Sequence, residues 1–202
     1  MTGLGNFEAI VLAAGAGTRF GGGKLLAPYG PGLVLEGALR AAFAAPVRRV
    51  TVVTGADAAK VAAAAQAYAE RVGQGSRLSI IHAPDHSQGM GASLRCGAQT
   101  LAGDVEGVFV FLGDMPRIPH AVLEPLAQAI AQGAPAAATQ FGGQRGHPAV
   151  IGASLIPQLL TLTGDAGARA VLQGLGDQLV LIEAPDDGVL FDIDRPGDLA
   201  AG

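Results

Sequence analysis

The chain is 202 residues long, half of it hydrophobic, with a net charge of −4, 31 glycines, no tryptophan and one cysteine. That length fits one sizeable α/β domain with an aliphatic core, and the mild acidity leaves no electrostatic footprint for nucleic acid or an anionic membrane. A lone cysteine, Cys96, excludes an internal disulfide and a cysteine-based metal cluster within one chain, and favours a reducing compartment. Met1–Glu8 carries no basic residue and does not read as a signal peptide. The apolar stretch after it, Ala9–Ala14, is too short to span a bilayer. The expectation is a soluble, cytoplasmic protein with small-molecule substrates, no nucleic acid and no membrane.

Glu8–Ala14 is a continuous apolar run closed by glycine, the pattern of a fully buried parallel strand. Gly15–Gly23 is a glycine-rich loop. Leu33–Ala45 predicts a helix stopped by Pro46, Val47–Thr54 a second strand, and Asp57–Val72 an Ala-rich helix ended by Gly73. Leu78–Ala83 predicts a third strand. Gln88–Leu101 predicts a helix begun through a Gly-Met-Gly turn. Gly107–Leu112 is the most strongly β-patterned run, and Pro119–Gln132 a helix with Pro at its start. Ala136–Phe141 and His147–Ile151 predict strands flanking a Gly-Gly-Gln-Arg-Gly loop. Ser154–Leu162 and Ala166–Leu175 predict helices, Gln178–Glu183 a last strand, and Pro196–Ala201 a short final helix.

Strands alternating with helices predict a mostly parallel sheet covered on both faces, a Rossmann-like three-layer α/β sandwich over residues 1–202 as a single domain. Ligands of such sheets bind beyond the carboxyl ends of the strands. The loops to inspect are therefore Gly15–Lys24, Gly55, Asp85–Gly91, Gly113–Pro116 and Asp192–Pro196.

The first of these loops places Gly15, Gly17, Arg19 and Lys24 directly after a buried strand. Glycines let backbone N–H groups close on phosphate oxygens; Arg19 can grip phosphate as a fork and Lys24 as a mobile point charge. The two common glycine motifs both fail: Phe20 stands at the third glycine of the dinucleotide fingerprint, and Thr18 and Leu25 break the P-loop pattern. A flexible turn with two solvated cations is the plain alternative.

Leu112-Gly-Asp-Met-Pro116 follows the best strand and can project the Asp114 carboxylate into the crevice. Asp192-Ile-Asp194 alternates, so both acids fall on one side of an extended segment. Magnesium takes few protein carboxylates and fills its shell from water and phosphate oxygens. The structural alternatives are an Asx turn at Asp114 and a helix cap at Asp192 and Asp194. Ser93 at a helix start is either a cap or a hydrogen-bonding group for a base. Arg145 and Arg169 can bind a phosphate, and His147 can orient an acceptor oxygen. His82, His86 and His120 have no metal spacing and receive no role. Cys96 is read as a residue packed on a helix face, not a nucleophile.

Five ordered segments together resemble the nucleotidyltransferases that load the molybdenum cofactor, a MobA-like family, over Ile10–Leu199. They are Leu-Ala-Ala-Gly-x-Gly-x-Arg-x-Gly-x-x-Lys24, Gly-x-x-x-Ser93-Leu-x-x-Gly97, Gly-Asp114-Met-Pro, Arg145-Gly-His147-Pro with Gly-Asp165-x-Gly-Ala-Arg169, and Asp192-Ile-Asp194-x-Pro. The resemblance implies the nucleotide-diphospho-sugar transferase type of fold and the cytidylyltransferase members of the family. Their Ala-Ala-Gly is matched by Ala13, Ala14 and Gly15, where guanylyltransferases have Ala-Gly-Gly. It implies CTP and magnesium, with the first loop, Ser93, Arg19 and Lys24 on the nucleotide and Asp114 as magnesium ligand. The second acidic position is Asp192 or Asp194, with Asp194 preferred. Arg145, His147, Asp165 and Arg169 are implied to face molybdopterin or the molybdenum cofactor, and a molybdoenzyme or its chaperone to receive the product. The departures are Phe20, Gly32 in place of a proline, and Arg195 in place of a threonine. The alternatives are another base or acceptor (GTP, a sugar phosphate), an NAD(P)H-dependent reductase of the same family, and a non-catalytic cofactor-binding chaperone.

Overall fold

The first strand, β1 (Phe7–Ala13), is buried along its whole length, as a continuous apolar run requires between two helix layers. The computed structural model describes residues 6–201, so most of the Met1–Glu8 stretch read for a targeting signal lies outside the described residues. After the glycine-rich loop comes a two-stranded ribbon, β2 (Pro28–Tyr29) with β3 (Gly32–Leu33). The chain continues through α1 (Val34–Ala44), β4 (Arg49–Thr54), α2 (Ala58–Arg71), β5 (Leu78–His82), α3 (Met90–Ala98) and β6 (Gly107–Leu112). Then follow α4 (Leu123–Ala131), β7 (Ala136–Phe141), β8 (Gln144–Gly152), α5 (Ile156–Leu159), α6 (Gly167–Gln173) and β9 (Leu179–Glu183). A 3-10 turn covers Pro196–Ala201.

The seven-stranded sheet has the order β5-β4-β1-β6-β8-β7-β9. Only β8 runs antiparallel to its neighbours; every other pair is parallel. The period-2 alternation of strand side chains divides the interior into two cores. Ala9, Val11, Val50, Val52, Phe109 and Phe111 face the layer containing α1, α2 and α4. Ile10, Leu12, Val53, Val108 and Val110 face α3, α5 and α6. This is the expected three-layer α/β sandwich of the nucleotide-diphospho-sugar transferase type. With no tryptophan, Phe109 and Phe111 are the largest fully buried side chains, each worth about 1.5–3 kcal/mol on burial. Gly97 lets α3 lie close on the sheet, because a Cβ there would come within 2.9 Å of Ile10 Cγ2.

Three details differ from the expectations. The Gly-Gly-Gln-Arg-Gly stretch is not a loop: β8 begins at Gln144, and the turn is only Gly142-Gly143, both with positive φ. The turn needs that left-handed backbone, and the residues after it pair directly with β7. The helix expected over Ser154–Leu162 contracts to α5 behind a 3-10 turn, Ala153–Leu155. The β2–β3 ribbon was not foreseen, because two-residue strands leave no period to read. Among the described residues no helix is long and apolar enough to cross a membrane.

Candidate active site

The parallel strands β1, β4 and β6 end side by side, and the loops leaving them form one crevice. The first loop folds back on itself: the amides of Phe20 and Gly22 both donate to the Gly17 carbonyl, at 3.0 and 3.1 Å. Gly17 has φ +58°, and a Cβ there would press on Lys24 Cβ at 3.1 Å. Glycine at this position therefore lets the loop close and brings Lys24 back over the strand ends.

Lys24 Nζ lies 2.7 Å from Asp114 Oδ2, in a pair that is only 13% and 23% exposed. Arg19 Nη1 lies 3.1 Å from Asp194 Oδ2 in a far more open pair. The two acidic segments are tied together: the Ile193 amide donates to the Asp114 carbonyl at 3.0 Å. Ile193 is fully buried while Asp192 is exposed and Asp194 partly so, as the alternation predicted. Asp192 holds its proton more tightly than an ordinary carboxyl: burial raises its pKa, the nearby Asp114 and Asp194 charges add to this, and Lys24 opposes them. Asp192 thus lies within electrostatic reach of both Asp114 and Lys24. Among the described residues no three His, Cys, Asp or Glu side chains converge as a metal cage.

A cavity of about 610 Å³ opens beside Asp114. Ala14, Gly15, Ser93 and Asp165 line it, together with Thr18 and His86. Its size suits a nucleotide-sized ligand. Ser93 is 3% exposed, and α3 has no side-chain cap hydrogen bond, so the capping alternative for Ser93 drops away. Ala13 is buried in β1 on the opposite face, toward α1, so only its backbone can serve the crevice. A second cavity of about 340 Å³ brings together Arg145, His147 and Arg169. Asp165 is not part of that group and lies in the first cavity. Its loop is fixed there by the Gly91 amide, which donates to the Gly164 carbonyl at 2.7 Å. Burial lowers the His147 pKa, partly offset by the Asp114 charge, so its imidazole is neutral near pH 7.

Two residues here had been given no role. His86 lines the large cavity; its position in the Asp85–Gly91 loop was the available signal. Asp198 Oδ2 accepts from the amides of Asp194 and Arg195 at 2.9 and 2.7 Å. The cap anticipated around Asp192 and Asp194 is therefore supplied by Asp198, which leaves both acid side chains free of capping.

Residues 9–179 match the MobA-like NTP transferase domain. The chain belongs to this family. A nicotine blue oxidoreductase of Paenarthrobacter nicotinovorans is 33% identical over 193 residues, covering 92% of this chain and 90% of the relative. A molybdenum cofactor cytidylyltransferase of Escherichia coli K12 is 27% identical over 191 residues, covering 95% and 92%. Among solved structures, a homologue of Mycobacterium tuberculosis Rv0371c from Mycobacterium sp. strain JC1 superposes with a TM-score of 0.82 at 26% identity, covering 96% of each chain.

Proposed function

We propose that the chain transfers a cytidylyl group from CTP to the terminal phosphate of molybdopterin or its metal-loaded form, with magnesium. The observation that carries the reading is the meeting of Lys24, Asp114 and the Asp192–Asp194 segment at the mouth of a nucleotide-sized cavity. The cytidylyltransferase relative and the Ala13-Ala14-Gly15 sequence support the base. An acceptor phosphate oxygen attacks the α-phosphorus in line, the bond to the β-phosphate oxygen breaks, and pyrophosphate leaves. No general base is required, since a phosphate nucleophile is already ionised at neutral pH.

The residues fit a divalent cation. Asp192 lies near the Asp114 and Asp194 charges, an excess of negative charge that a dication neutralises without a full protein cage. Asp114 and Asp192 would hold it, since the Asp114 charge adds to that around Asp192, while Lys24 and Arg19 turn from Asp114 and Asp194 to the triphosphate. Magnesium would supply charge neutralisation on the phosphate oxygens. Arg19 and Lys24 bind the triphosphate and offset charge building on the leaving pyrophosphate. Gly15 and Gly17 bring backbone amides to it, and Ser93 hydrogen-bonds the base. Arg145 and Arg169 bind the acceptor phosphate, His147 orients an acceptor oxygen, and Asp165 stands at the nucleotide edge of the acceptor path. A molybdoenzyme or its chaperone is the proposed recipient of the product, within the cytoplasm.

The test is pyrophosphate release by purified protein with magnesium and molybdenum cofactor, comparing CTP, GTP and ATP. Release with CTP that disappears in Asp114→Ala supports the reading. A preference for GTP keeps the chemistry and rejects the base. One observation favours a second reading, an NAD(P)H-dependent reductase: the oxidoreductase-named relative at 33% identity. Absorbance loss at 340 nm (an assay wavelength) without pyrophosphate would establish it.

A further inference from the structure

A cavity of about 470 Å³ lies away from the crevice, between the β2–β3 ribbon, α1 and α2. It shares no lining residue with the two cavities beside Asp114. Its walls carry Tyr29, Tyr68, Glu36, Arg40 and Arg71. Arg71 Nη2 is 2.6 Å from Glu36 Oε2 and its guanidinium stands 5.1 Å from the Tyr68 ring centroid, so that cation is already satisfied. Arg40 has no carboxylate partner among the described residues. It makes one long contact, 3.4 Å to the Pro116 carbonyl, and is exposed. The Tyr29 hydroxyl is buried with no hydrogen-bond partner. Two guanidiniums against one carboxylate leave the cavity one positive charge in excess. The remaining wall is apolar, from the Tyr29 ring, Pro31 and Leu33.

Gly32, a departure from the family pattern, belongs to this arrangement. A Cβ at Gly32 would collide with the Glu36 carboxylate, its Cδ being 3.0 Å away. Glycine there is what allows Glu36 to turn to Arg71, which leaves Arg40 as the cation free for a ligand. A single surplus charge beside an apolar wall matches a monoanion with a compact hydrocarbon body, and a guanidinium fork matches a carboxylate.

We propose that this cavity is a second ligand site, which takes a small organic carboxylate through Arg40, with the hydrocarbon body against the Tyr29 ring, Pro31 and Leu33. The chain carries its own reporter: Tyr29 and Tyr68 are its only two tyrosines and it has no tryptophan, so tyrosine emission reads this cavity and not the crevice. Cyclohexanecarboxylate, transparent at the excitation wavelength, is titrated into wild-type protein. The expected result is a saturable change in emission, weakened at least tenfold by Arg40→Gln and at least tenfold for the neutral cyclohexanecarboxamide. Lys24→Ala is expected to titrate like the wild type, which separates this site from the triphosphate loop. Arg40 is exposed, so its glutamine variant should keep the wild-type unfolding midpoint, and the amide probe tests the same contact without a mutation. A flat titration, or an Arg40→Gln curve that overlays the wild type, overturns the site. Tighter binding of cyclohexyl phosphate than of the carboxylate overturns the ligand class.

Discussion

Replacing Gly37 by alanine should damage catalysis far more than folding. Gly37 lies on α1 against the turn that carries Asp114, and a Cβ there would sit 2.5 Å from Pro116 Cα and 2.6 Å from Pro116 Cβ. Ordinary van der Waals contact begins at 3.4 Å, so helix and turn must separate by about 1 Å in a close-packed interior. The obstacle is backbone, which cannot rotate aside as a flexible side chain would. Overpacking of this kind costs about 1–3 kcal/mol, offset by up to ~1 kcal/mol for removing a glycine from a helix interior. The net is a loss of about 0–3 kcal/mol in stability. Asp114 moves with Pro116, and a misplacement of about 1 Å is worth on the order of 100-fold in rate. Pyrophosphate release under saturating CTP and acceptor, beside a thermal melt, measures both effects. A folded Gly37→Ala protein with kcat within about twofold of wild type would refute the claim that α1 sets the position of Asp114.

Other perturbations separate the roles of neighbouring groups. Asp192→Asn should raise the magnesium concentration needed for half-maximal activity more than Asp194→Asn does, since Asp192 is the acid beside the Asp114 charge; the reverse order in a magnesium titration would make Asp194 the ligand. Arg169→Ala should raise KM for the acceptor while leaving KM for CTP within about twofold, and equal effects on both would show that the smaller cavity is not the acceptor site. Asp104 has its pKa lowered chiefly by the hydrogen bonds from Arg48. Its stabilising effect is therefore present above the unfolded carboxylate value and is lost as pH falls through the lower folded value. Asp104→Asn should lower the midpoint at pH 7 and flatten the acid limb of stability against pH, and an unchanged acid limb would contradict this. Burial raises the Cys96 thiol pKa, so alkylation at pH 8 should be slower than for an exposed model thiol; reaction at the model rate would contradict it.

Much of the fold could be read from the sequence because burial writes a strong pattern. β1 and β6 are continuous apolar runs closed by glycine, and both appeared where expected, β6 residue for residue. The hairpin between β7 and β8 was read as a longer loop because Gln144, Arg145 and Gly146 are polar or small. Their strand geometry comes from cross-strand pairing, which has no local signature. At the site, sequence placed Lys24 and Asp114 on loops after strands, and the structure joins them although they are 90 positions apart. It could not show that Asp198 takes the capping role around Asp194, because an acid four residues past the pair looks like any surface aspartate. Nor could it show that Asp165 parts from Arg169 into the larger cavity; that depends on how Gly91 docks against Gly164.

The most direct test of the account follows the label of [α-32P]CTP in the presence of magnesium and molybdenum cofactor. The account predicts label in a pterin-cytosine dinucleotide, formed in step with pyrophosphate and abolished by Asp114→Ala. Label remaining in CTP while NAD(P)H is oxidised by the same preparation would contradict it.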